Sequence, residues 1–114
     1  MKLNLAAELL ETNGKPAMFV EDIDSKPRPM TIKDLILKLC SIQAAGEAKA
    51  SFMLWRLAMT VVGCDAPEVD LGVKVSDVLL KLAKNPTGPK GEAVISQAAQ
   101  AQLLIACGLT EDDL

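Results

Sequence analysis

The sequence predicts an α-rich α+β fold, a short N-terminal β-hairpin followed by about four helices in one domain. Three observations predict it. Asn13-Gly14 is a strong hairpin turn. Thr31 with Asp34 signs a helix start. From there to Gly108 apolar residues recur at helical spacing, broken at Gly46, Gly63, Pro86 and Gly91. At 114 residues there is room for one core and not two. The division is a hairpin region over 1–30, a helical region over 31–108 and an acidic tail over 109–114.

The hairpin is placed with strands near 6–12 and 16–21, about a type I′ turn. Pro16, lacking an N–H, belongs at a strand end or edge. The competing expectation is a short helix over 2–12, because Ala6-Ala7-Glu8-Leu9-Leu10-Glu11 favours helix by propensity, with Asn13 or Gly14 as its cap. A second turn around Asp24-Ser25-Lys26-Pro27 leads into the first helix. There Thr31 is the N-cap, Asp34 three residues on makes a near relative of the capping box, and Met30 and Leu35 hold the hydrophobic-staple positions. Ile32, Leu35, Ile36, Leu39 and Ile42 form its apolar face, and Gly46 ends it.

The second helix runs from Glu47 to about Val62 and stops at Gly63. It has two apolar faces. Ala48, Phe52, Trp55, Met59 and Val62 make one, and Met53, Leu57, Ala58 and Val61 make the other. A helix apolar on two sides is either central in its domain or shared with another chain. Residues 64–75 read as a loop. Ser76 then caps a third helix bearing Val78, Leu79, Leu82 and Ala83, which Asn85-Pro86 ends. A tight connector over 87–91 precedes a last helix from Glu92 to Cys107, with Val94, Ala98, Ala101 and Ile105 as its packing face and Gly108 as its stop.

Composition narrows the function. Histidine and tyrosine are absent, which removes Ser-His and Cys-His nucleophile pairs, His bases and the commonest metal ligand. There is no Walker loop and no dinucleotide fingerprint. The chain is expected to be no enzyme and to need no cofactor or metal. A formal charge of −3 lacks the basic surplus of a bare nucleic-acid binder. Cys40, Cys64 and Cys107 fit no zinc spacing and read as buried thiols of a reducing cytosol, with a redox pair between two helices as the alternative. No segment reads as a signal peptide or a membrane span, so a cytoplasmic protein is expected.

Two groups of residues remain as candidate sites. Phe52, Met53, Trp55 and Met59 suit a protein interface, since Trp anchors interfaces and Met adapts to them; for Trp55 by itself the first expectation is the core, as its largest residue. Gly88-Pro89-Lys90-Gly91 matches the GxxG loop with which KH domains clamp a nucleic-acid backbone, and Lys81 and Lys84 would add charge. Pro89 removes a donor from that loop, so nucleic acid is the secondary reading. Ligand sequestration in an oligomer is a third, without a residue signature. The tail Thr110-Glu111-Asp112-Asp113-Leu114 reads as solvated, or as a short acidic docking segment.

Several short motifs resemble those of small accessory proteins of tailed bacteriophages and prophages. They are Gly14-Lys15-Pro16, Pro29-Met30-Thr31-Ile32-Lys33-Asp34-Leu35, Gly46-Glu47-Ala48-Lys49, and Gly88-Pro89 with Gln97-Ala98. The connector is longer and richer in proline here than in those proteins. The resemblance implies a phage-encoded, non-enzymatic accessory protein of the host-cell cytoplasm, binding itself or a host or virion protein. It supplies no site residues.

Overall fold

The Thr31–Asp34 pair sits where the chain enters its first helix, and the segments before it are bonded around that point. A computed structural model describes all 114 residues. The strands are β1 (Lys2–Asn4), β2 (Met18–Phe19), β3 (Arg28–Pro29) and β4 (Glu68–Asp70). The helices are α1 (Ile32–Ser41), α2 (Ala48–Val62), α3 (Val73–Lys84) and α4 (Gln97–Ala106), with a 3-10 turn at Glu111–Asp113. The fold is an α-rich α+β one, as the sequence predicts. The details of the β part differ.

Asn13-Gly14 does reverse the chain. Gly14 N–H donates to the Glu11 carbonyl at 2.8 Å and Glu11 N–H to the Lys15 carbonyl at 2.8 Å. Of the two turn residues only Gly14 has positive φ, 81°. The turn is therefore the three-residue kind with a left-handed glycine, not type I′. The expected strands at 6–12 and 16–21 shrink to a single bridge, Leu10 with Pro16, and β2 pairs instead with β3. A closed ring of three backbone bonds explains this. Leu9 N–H donates to the Met30 carbonyl at 2.8 Å, Met30 N–H to Ala17 at 2.7 Å, and Ala17 N–H to Leu9 at 2.9 Å. Each segment thus divides its bonds between two neighbours, and no long ladder forms. The alternative helix over 2–12 is absent.

The first residues pair across more than half of the chain. β1 runs antiparallel to β4, with Leu3 opposite Val69, both buried, and the polar neighbours Lys2, Asn4, Glu68 and Asp70 facing out. The expected loop over 64–75 thus contains a strand.

At the start of α1, Thr31 Oγ1 accepts from Asp34 N–H at 3.4 Å, and Asp34 Oδ2 accepts from Thr31 N–H at 2.9 Å. The next two amides donate to the N-terminal segment, Ile32 to Ala7 at 3.0 Å and Lys33 to Leu5 at 3.1 Å. All the donors of the first turn are therefore satisfied. Arg28 clamps Asp34 with two bonds of 2.7 and 2.8 Å, reaches Glu21 at 2.8 Å and lies over the Phe19 ring at 4.9 Å. Burial disfavours the Asp34 charge, yet Arg28 and the Thr31 donors outweigh it and hold this carboxyl below its ordinary range. α1 ends at Ser41, earlier than Gly46.

α3 begins at Val73 with Gly72 as its N-cap, so Ser76 is no cap; its buried hydroxyl donates to the Leu71 carbonyl at 3.3 Å. α4 begins at Gln97, capped by Ser96, five residues later than expected. Residues 92–95 close the connector instead, through the Thr87–Ala93 bridge. Leu103 and Cys107 point inward, while Ala101 and Ile105 are exposed. The expected packing face of this helix is thus corrected by about half a turn. The core joins Leu3 and Leu9 to Leu35, Ile36 and Leu39 of α1, Leu57 and Val61 of α2, Leu79 of α3 and Leu103 of α4. No helix is long and apolar enough to cross a membrane.

Candidate functional site

α2 is helical over 15 residues without Gly or Pro, and Gly63 closes it. Its two apolar stripes meet different fates. Leu57 and Val61 are sealed in the core, with Met53 and Ala58 half-buried beside them. Phe52 is 75% exposed, Trp55 65%, Val62 48% and Met59 40%. These four, spaced three and four residues apart, form one continuous stripe in water. The expectation that Trp55 could be the centre of the core is corrected: short aliphatic side chains from α1, α3 and α4 fill that space, and the indole lies outside.

The stripe has a groove on each side. Between α1 and α2 a groove of about 470 Å³ is lined by Leu37, Cys40, Ala44, Ala45, Leu54 and Ala58, with Trp55, Met59 and Val62 on its α2 wall. Between α2 and α3 a second, of about 530 Å³, is lined by Met53, Leu54, Val78 and Leu82 together with Glu47, Lys49 and Lys81. The only charges within α2 are Lys49 and Arg56, both exposed and neither in an ion pair. No side chain caps its first turn, and no acid lies in that turn. The surface is apolar with a positive edge.

The connector has a different character. Gly88 N–H donates to the Glu92 carbonyl at 2.9 Å and Gly91 N–H to Gly88 at 3.0 Å. Lys90 N–H donates to the Glu92 carboxylate at 2.8 Å. With Pro89 lacking an N–H, every amide of the loop is engaged within the protein, and a carboxylate sits where a phosphate would have to lie. Gly88 is buried, Lys84 and Lys90 are exposed, and Lys81 belongs to the α2–α3 groove.

Sequence reasoning missed how α4 is fastened. The Gln102 amide pairs with the Leu10 backbone, accepting from its N–H and donating to its carbonyl, both at 2.7 Å. Gln100 donates to the Ala83 carbonyl at 3.1 Å, at the end of α3. It also missed Ile23, 99% exposed at the tip between β2 and β3. The available signal was one aliphatic residue set among Glu21, Asp22 and Asp24. The three cysteines are free thiols; Cys107 is buried, Cys40 and Cys64 half-buried. Burial pushes the Cys40 and Cys107 thiols up to about 11.

No family model matches the sequence, and neither the curated proteins nor the solved structures give a match. The function is read from α2 itself.

Proposed function

We propose that the chain is a non-enzymatic accessory module that binds protein, either itself or a component of a host or virion, through the exposed stripe of α2. The observation that carries this is the exposure of Phe52, Trp55, Met59 and Val62 together, on a helix whose opposite stripe already supplies the core. Scattered single apolar residues are normal on a surface, whereas a contiguous patch holding two large aromatics marks an interaction site. The absence of His and Tyr and the resemblance to small phage accessory proteins favour the same reading.

The test compares the wild type with Trp55→Ser, a change at an exposed position that leaves the core intact. Light scattering after size-exclusion chromatography reads self-association. The immobilised protein is also exposed to extract of the cell that makes it, to read binding to other proteins. The expected result is an association, of either kind, that Trp55→Ser weakens. Wild type and variant alike in both assays would refute the reading.

A further inference from the structure

The tip between β2 and β3, residues 20–27, is the second place where apolar side chains stand in water. Ile23 and Val20 are exposed there beside Glu21, Asp22 and Asp24. The tip is held in shape. Asp22 Oδ1 accepts from Asp24 N–H at 2.9 Å, Ser25 N–H donates to the Asp22 carbonyl at 3.1 Å, and Arg28 pins Glu21. Asp22 and Asp24 form no ion pair, and Lys26 is the only cation within residues 20–27. It is thus an ordered, acidic projection with an aliphatic point.

The α1–α2 groove is its complement in shape and carries no charge in its lining. The complement in sign is Arg56, unpaired and exposed beside Phe52 and Met59 on the same helix, while Lys49 lines the α2–α3 groove. Tip and groove also adjoin. Leu37 and Ser41 of α1 line both the α1–α2 groove and the shallow depression that holds Phe19 and Glu21. A molecule carrying both on one side can give and receive in a single encounter, which is the arrangement a two-fold axis requires. Area points the same way. Phe52 and Trp55, at about 200 Å² each, leave roughly 280 Å² in water, while a standard interface takes about 800 Å² per partner. These two largest side chains of the α2 stripe alone fall short of that, and the tip adds to it. Pairing α2 antiparallel to its own copy would instead bring Lys49 and Arg56 of both chains together along one seam.

Resting on the proposed role of the α2 stripe, we propose that its occupant is a second copy of this chain. In a two-fold pair, the Ile23 tip of each copy seats in the α1–α2 groove of the other beside Trp55, and its carboxylates reach Arg56 at the edge of the stripe.

The test uses the full chain at roughly 100 µM and below, in low and high salt, by light scattering and sedimentation. The wild type is expected to dimerise, less tightly as salt rises. Ile23→Ser and Trp55→Ser, both at exposed positions and checked for retained helix content, each weaken the dimer by about tenfold or more. An equimolar mixture of the two variants forms a mixed dimer tighter than either variant alone, because one intact tip then meets one intact groove. Asp24→Lys and Arg56→Glu each weaken the pair, and the double variant D24K/R56E recovers. A monomeric wild type overturns the inference, as does Ile23→Ser dimerising like the wild type or a mixture that shows no gain. If Ile23→Ser dimerises normally while Trp55→Ser does not, the stripe keeps its role and a second copy still covers it, but the inferred seating of the tip fails. If Trp55→Ser also behaves as wild type here and in the extract, both fail.

Discussion

Phe52 and Leu57 lie five residues apart on one helix, and truncating each to Ala separates the two stripes of α2 energetically. Leu57 is fully sealed. Leu57→Ala therefore loses its transfer energy and leaves a cavity, about 3 kcal/mol. Phe52 is 75% exposed. Of its roughly 200 Å² only about 50 Å² is covered, worth about 1.2 kcal/mol at 25 cal/mol per Å². Alanine returns about 0.5 kcal/mol through its better helix propensity. The net cost of Phe52→Ala is then under 1 kcal/mol. For a domain of this length 1 kcal/mol shifts Tm by about 4 °C, so Leu57→Ala should melt about 12 °C lower and Phe52→Ala within about 3 °C of wild type. Circular dichroism melts at dilute concentration read both, since dilution removes any contribution from association. Equal losses for the two variants would refute the two-stripe account, because Phe52 would then be covered within a single protomer.

Further outcomes follow from other parts of the structure. Asp34, whose folded pKa lies below its ordinary 3.8, contributes stability that is present above that pH and lost as pH falls through the folded value; Asp34→Asn should lower Tm at neutral pH and flatten its acid limb, and an unchanged limb would contradict the Arg28–Asp34 clamp. Gln102→Ala should cost about 1–2 kcal/mol and speed hydrogen exchange at the Leu10 amide, read by NMR; an unaltered Leu10 rate would show that the Gln102 pairing does not fasten the hairpin. Iodoacetamide at about pH 8 should spare Cys40 and Cys107 in the native protein, as peptide mapping would show, because burial holds both as thiols near 11; rapid labelling of either would contradict that burial.

What the sequence disclosed was local chemistry. The α1 start was legible because Thr31 and Asp34 satisfy each other within four residues, and the stripes of α2 because helical spacing alone sorts Phe52 and Trp55 from Leu57 and Val61. The β1–β4 pair was not legible: Leu3 meets Val69 across most of the chain, and the three-residue alternations of Lys2–Asn4 and Glu68–Asp70 are too short to stand out. Ser76 misled because a serine ahead of apolar residues resembles a cap, yet Gly72 already supplies the extended N-cap backbone. α4 misled because apolar residues surround it, so periodicity gave it no direction; the glutamines that orient it look the same bound or free. At the candidate site, Phe52, Trp55 and Met59 were legible as one face of a helix, but that this face meets water and not the core was decided by how completely the short aliphatic residues fill the interior.

The exposed indole also has a spectroscopic consequence. Trp55 is the only tryptophan, and there is no tyrosine, so nearly all near-ultraviolet absorption and emission arises at one point on the surface. Because that ring is already largely hydrated in the lone protomer, denaturant should move its emission maximum little, and a fluorescence titration would miss much of the unfolding transition. Docking dries the same ring, so the optical signal that barely registers loss of the fold should report occupancy of the α2 stripe by a blue shift.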